Sequence, residues 1–278
     1  MRSAEEMKAR ILTFAKQDEN IRAVYLNGSR ANPNAIKDAY QDFDVVFVVK
    51  KMEPYILDKG WIPYFGDIVI MQEPKPVDPG TYVYLMQYKD GNRIDLKLLE
   101  SSYAKTHYYE DSLTVLWLDK DHQFEPVIAS EEDYLIKKPS KEEYEACCNE
   151  FWWVATYIAK GLWREELLYA LENFNLYVRK ELIQMLIWKV GFDTQFGCNA
   201  GKHGKHLQRY LSKPLWDALL QTYPAGEQEV IWIALIHAMD VFDLVAIEVG
   251  NQLECSYPAE ESARTRNFIL RNHTVIQT

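Results

Sequence analysis

Met7, Ile11, Leu12 and Ala15 recur at helical spacing behind Ser3-Ala-Glu-Glu6, which predicts an opening amphipathic helix to about Gln17 with a capping box at its start. The period then shortens. Ile21 to Leu26 predicts a strand ending at Gly28. Asp42 to Val49 predicts a second, wholly apolar after Asp44 as befits a strand covered on both faces. Ile68 to Met71 predicts a third, short strand. Thr81 to Tyr88 and Arg93 to Leu99 flank Lys89-Asp-Gly-Asn92, and an Asp-Gly pair between two β-rich runs predicts a hairpin.

From Asp119 to Pro139 the chain is polar and broken by Pro126 and Pro139, which predicts a linker holding at most a short strand or turn. Beyond it the period is helical throughout. Ser140-Lys-Glu-Glu143 is a second capping box, opening a helix to about Lys160, and further helices are predicted over 163–190, 204–222 and 227–251. Gly191, Pro224, Gly226 and Pro258 mark the breaks. The pattern predicts an α+β chain with a small mixed sheet and helices over 1–135, followed by a helical bundle over 136–278.

Composition narrows the function classes. A chain of 278 residues, 48% hydrophobic and 26% charged, is neither disordered, collagen-like nor disulfide-stapled. Its net charge of −10 disfavours nucleic acid, whose phosphates demand cationic contacts, and favours a cationic small molecule. The longest apolar runs, Val45 to Val49 and Val230 to Ile236, fall far short of the ~20 residues that span a bilayer. The N-terminus lacks a signal-peptide core, so no membrane partner and a cytoplasmic location are expected. Cys147, Cys148, Cys198 and Cys255 form no CxxC and are expected to be reduced core residues.

The densest chemistry lies in Leu26-Asn-Gly-Ser-Arg30 and, twelve residues after Ser29, Asp42-Phe-Asp44. Residues two apart on a strand share a face, so Asp42 and Asp44 present adjacent carboxylates, a costly pairing unless a cation neutralises it. Phosphoryl- and nucleotidyl-transfer sites hold Mg²⁺ with such a pair. Gly28 permits close backbone approach to a phosphate, and Ser29 offers an N–H and a hydroxyl. Asp95, in Asn92-Arg-Ile-Asp95, interrupts a strand-like run. If its strand lies beside that of Asp42, three carboxylates converge, and Asp95 can ligate metal or take a substrate proton.

Together these residues resemble the nucleotidyltransferases of the DNA-polymerase-β superfamily. The chain more closely resembles the aminoglycoside 6-adenylyltransferases, also called streptomycin adenylyltransferases. That resemblance is carried by Met1-Arg-Ser-Ala-Glu-Glu-Met, Asn27-Gly-Ser-Arg30, Gln41-Asp-Phe-Asp44, Asp90-Gly-Asn-Arg-Ile-Asp95, Leu118-Asp-Lys-Asp121, Phe151-Trp-Trp-Val-Ala through Lys160-Gly-Leu-Trp-Arg164, and Gly201-Lys-His-Gly-Lys-His-Leu207. The resemblance implies a nucleotidyltransferase domain followed by a helical domain binding substrate and nucleotide. It implies ATP as AMP donor, Mg²⁺ as cofactor and a streptomycin-type acceptor hydroxyl, hence antibiotic resistance. By the same analogy Asp42, Asp44 and Asp95 match the metal ligands, Gly28, Ser29 and Arg30 the phosphate-binding turn, and Asp95 the position of the catalytic base. Related antibiotic adenylyltransferases carry a glutamate there.

Two stretches of the helical part add candidates. Lys202 and Lys205 sit at i and i+3 near a predicted helix start, where both ammonium and helix end attract phosphate. His203 and His206 lack a fourth ligand, so zinc is not indicated. Trp152 and Glu166, in an aromatic and acidic stretch, are candidates for lining a cationic acceptor pocket. Alternative functions are the same donor chemistry on a lincosamide, an RNA 3′ end or a protein side chain, and a non-catalytic nucleotide-binding module. The expected assembly is a monomer or weak homodimer.

Overall fold

The computed structural model describes residues 1–76 and 78–276, in two compact units, Met1–Asp133 and Tyr134–Thr278. The last two residues of the predicted second domain lie outside the described residues.

In the first unit, α1 (Ala4–Gln17) starts at the predicted capping box, with Ser3 Oγ accepting from the Glu6 N–H and Glu6 accepting from the Ser3 N–H. Met7, Ile11 and Ala15 are its buried stripe. Then follow β1 (Ile21–Asn27), a 3₁₀ turn (Gly28–Arg30), β2 (Phe43–Val49), α2 (Glu53–Leu57), β3 (Ile68–Gln72), β4 (Thr81–Tyr88), β5 (Arg93–Glu100), α3 (Ala104–Tyr108) and β6 (Val115–Asp119). They form one mixed sheet in the order β3-β4-β5-β2-β1-β6. β2 pairs antiparallel with β1 and parallel with β5, which places it at the centre.

The unbroken apolar run of β2 follows from that position. Val45, Phe47 and Val49 join the core that includes the buried face of α1, while Val46 and Val48 join Ala23, Tyr25, Tyr108 and Phe124 in a second core. With both faces covered, no polar position survives in the strand's interior, and each large apolar side chain contributes roughly 1.5–3 kcal/mol. The Lys89–Asn92 hairpin forms as predicted, with the Tyr88 N–H bonded to the Asn92 carbonyl. β6 is an edge strand that the pattern does not predict: its five residues are all half-buried, and it owes its form to pairing with the outer edge of β1.

The second unit begins with α4 (Lys141–Trp163), capped at Ser140 and Glu143 as predicted. The predicted 163–190 helix is α5 (Leu167–Asn173), a π-helical turn (Phe174–Val178) and α6 (Arg179–Asp193). The 204–222 prediction fails over its first half. Gly201, His203 and Gly204 all have positive φ, near +72°, +57° and +72°, which an α-helix does not admit. Two 3₁₀ turns, Lys202–Gly204 and Leu207–Arg209, stand there instead, and α7 (Lys213–Leu220) begins with Pro214 in its first turn, where a missing N–H costs nothing.

α8 (Gln228–Gln252) matches its prediction within a residue at each end, and α9 (Ala259–Ile276), beyond the break at Pro258, was not predicted. α8 is long and apolar enough to cross a bilayer by length and composition, contrary to the expectation drawn from unbroken runs. Its Ile231, Trp232, Leu235, Met239, Phe242, Val245 and Val249 are all buried in the unit's core. A helix apolar on most sides is what the centre of a bundle requires. All four cysteines are buried and none is in a disulfide.

Candidate active site

The site is assembled where β1, β2 and β5 begin or end side by side. Asn27 closes β1, its Nδ2 donating to Thr114 Oγ1 at 2.7 Å and to the Leu113 carbonyl at 3.3 Å. The register sets Asp44 of β2 opposite Asn27 on one side and opposite Asp95 of β5 on the other. Asp42, two residues before Asp44, completes three carboxylates at one end of the sheet.

Gly28 turns the chain at φ +71°, and a Cβ built there would fall against Asp44 Oδ2. The position therefore excludes a side chain for two independent reasons, left-handed backbone and direct collision with a carboxylate. Ser29 is half-buried in the same turn, beside Gln41 Nε2. Arg30, predicted to meet a nucleotide, turns its Nε and Nη2 to partners within the protein. Its Nε reaches the Gln41 and Asp42 carbonyls at 3.1 and 3.0 Å, its Nη2 the Gln41 carbonyl at 2.6 Å, and its guanidinium stacks 3.8 Å from the Phe43 ring centroid. It thus ties the turn to the backbone leading into β2.

Arg93 is the residue the sequence analysis passed over. Its Nε and Nη2 grip Asp95 Oδ1 and Oδ2 at 2.7 and 2.8 Å, and its Nε lies 3.6 Å from Asp42 Oδ2. The signal was present: Arg93 and Asp95 are two apart on one strand and share a face, by the argument applied to Asp42 and Asp44. The fork geometry makes this a charge-assisted bidentate pair, and that bond holds the guanidinium more firmly protonated than usual.

The remaining acids carry the electrostatic load. Burial, foremost, then the charges of Asp95 and Asp42, push Asp44 up to about 6, with Arg93 opposing. Asp42 is raised too, by burial first, against the pull of Arg93. The donor set consists of carboxylate oxygens alone, which suits a hard divalent cation, and the raised Asp44 shows how poorly its negative charge is compensated. Among the described residues no three His, Cys, Asp or Glu side chains already form a chelate. Arg93 occupies both oxygens of Asp95.

The other candidates belong to the helical unit. Lys202 and Lys205 are exposed, but they sit in and after a 3₁₀ turn, so the expected helix-end contribution to phosphate binding is absent. Trp152 is corrected to a core residue: it is 2% exposed, and its indole N–H donates to Tyr257 Oη at 2.8 Å. Glu166 is exposed ahead of α5, 3.9 Å from Arg164 Nη1. Aromatics that do reach solvent nearby in sequence include Trp153, Trp163 and Tyr169.

Asp44 at the head of a central strand with Asp42 just before it, a parallel neighbour bearing a third acid and a glycine turn packed on Asp44 form the kind of site that nucleotidyltransferases use. The family profile described as streptomycin adenylyltransferase matches residues 1–272. An aminoglycoside 6-adenylyltransferase from Campylobacter jejuni is 37% identical over 277 residues, covering 98% of this chain and 96% of that protein. One from Staphylococcus aureus is 32% identical over 282 residues, covering 98% and 99%. The crystal structure of an aminoglycoside 6-adenyltransferase from Bacillus subtilis is 30% identical, covers 98% of this chain and 99% of that one, and gives a TM-score of 0.49. The chain belongs to the streptomycin adenylyltransferase family.

Proposed function

We propose that the protein transfers AMP from MgATP to a hydroxyl of a streptomycin-type aminoglycoside and so confers resistance to it. The observation that carries this reading is the register that sets Asp44 against Asp95 beneath the Gly28 turn, in a chain of this family. Asp42, Asp44 and Asp95 would hold Mg²⁺, which when bound neutralises charge developing on the phosphates. Asp95 accepts the proton of the acceptor hydroxyl. The oxygen bonds to the α-phosphorus as the bond to pyrophosphate breaks, with the Gly28–Ser29 turn offering N–H and hydroxyl to phosphate oxygens.

The net charge of −10 favours a polycationic acceptor, and exposed Glu166 is available to such a ligand, as Lys202 and Lys205 are to a nucleotide phosphate. Incubation with labelled ATP, Mg²⁺ and an antibiotic panel, read by mass spectrometry, tests the reading. One AMP on streptomycin and none on lincomycin is the expected result. Modification of lincomycin alone, or of no antibiotic, refutes it.

A further inference from the structure

Three carboxylates at the end of one sheet repel one another, and the structure shows what holds them there. Arg93 grips both oxygens of Asp95 and approaches Asp42, and among the described residues it is the one cation whose side chain lies against two of the three acids. Arg30, the nearest alternative, has turned its Nε and Nη2 to backbone carbonyls instead. Nor is Arg93 fixed by burial: its side chain is 38% exposed, against 20% for Asp95. A guanidinium that is half open to solvent can leave a carboxylate at modest cost, because water replaces the lost bonds.

From these observations we infer that Arg93 is a displaceable internal counter-ion: it holds Asp95, lies against Asp42, and competes with a divalent cation for them. The inference rests on the proposed assignment of Asp42, Asp44 and Asp95 as the metal-holding acids. It also gives Asp95 two states, clamped with both oxygens accepting from Arg93, and released with an oxygen available to other partners. Arg93 acts here through Asp95 and is a positioning residue.

The consequence runs opposite to that of an ordinary structural residue. Removing a side chain that merely braces the site loosens the acids and weakens cation binding. Removing a competitor strengthens it. The test is Mn²⁺ titration of the full chain without nucleotide, by calorimetry or electron paramagnetic resonance, on wild type, Arg93→Gln, Arg93→Lys and Asp44→Asn. Loss of one positive charge within contact distance should tighten Mn²⁺ binding about tenfold or more in Arg93→Gln. Arg93→Lys keeps the charge but not the fork, and should fall between that variant and wild type. In EDTA, Arg93→Gln should melt below wild type, and Mn²⁺ should raise its melting temperature further than it raises that of wild type.

Mn²⁺ affinity in Arg93→Gln equal to or weaker than wild type, with Asp44→Asn abolishing binding, overturns the counter-ion role while leaving the metal site standing. If Arg93→Gln does not fold, the same comparison on Arg93→Lys decides the question in the same direction. Absence of Mn²⁺ binding in wild type and both Arg93 variants alike overturns the metal assignment and the counter-ion role with it.

Discussion

Replacing Asp44 by Asn tests whether the sheet end stores electrostatic strain. Asp44 is pushed up from 3.8 to about 6, by burial first and then by Asp95 and Asp42. Its native form therefore keeps a proton to higher pH than the unfolded chain does. The linked stability is fully present below about pH 4 and is lost as pH rises through about 6. At ~1.4 kcal/mol per pH unit the ionised carboxylate costs the metal-free protein about 3 kcal/mol at neutral pH and above. About half of that cost is already present at pH 5, because the unfolded carboxylate ionises first.

Asparagine stands in for the protonated acid and carries no such cost. By scanning calorimetry in EDTA, Asp44→Asn should melt roughly 6–12 °C above wild type at pH 8. The gap should shrink to about half at pH 5. Transfer activity should be abolished in the same variant, so stability and function move in opposite directions. An equal or lower melting temperature at pH 8, or a gap indifferent to pH, refutes the account of an uncompensated carboxylate cluster.

Three further substitutions separate the roles of neighbouring residues. Gly28→Ala forces a Cβ onto Asp44 at a φ of +71° and should cost roughly 1–3 kcal/mol, together with activity, seen by thermal melting and turnover. Asp95→Asn should slow the single-turnover rate severely without repair by extra Mg²⁺, since the proposed proton acceptor is lost; full rescue at high Mg²⁺ would rule out the base role. Trp152→Phe should cost about 1–3 kcal/mol through the unmade bond to Tyr257 while leaving turnover intact at low temperature; a changed KM for the acceptor would restore Trp152 to the substrate site.

Local physics made much of the fold legible in the sequence. Both capping boxes, at Ser3 and Ser140, were readable because the residues that satisfy each helix end lie within four positions of one another. The same holds for the Asp-Gly hairpin between β4 and β5 and for β2, whose apolar run reflects burial on both faces. The Gly-Ser turn, Asp42 and Asp44 were likewise visible as spacing.

What the sequence left open depended on partners distant along the chain. β6 is a strand only because β1 offers an unpaired edge some ninety residues away. Trp152 was a candidate for lining an acceptor pocket, and the fold buries it with its N–H on Tyr257, 105 positions later. Left-handed backbone at His203 removed the helix start on which the phosphate role of Lys202 and Lys205 partly relied. The choice that matters most is the parallel pairing of β2 with β5, which turned a conditional convergence of carboxylates into Asp44 facing Asp95, with Arg93 between Asp95 and Asp42. Spacing along a strand fixes which residues share its face. Only the tertiary register decides which strand lies alongside, and thus whether acids written fifty residues apart meet one another and a common cation.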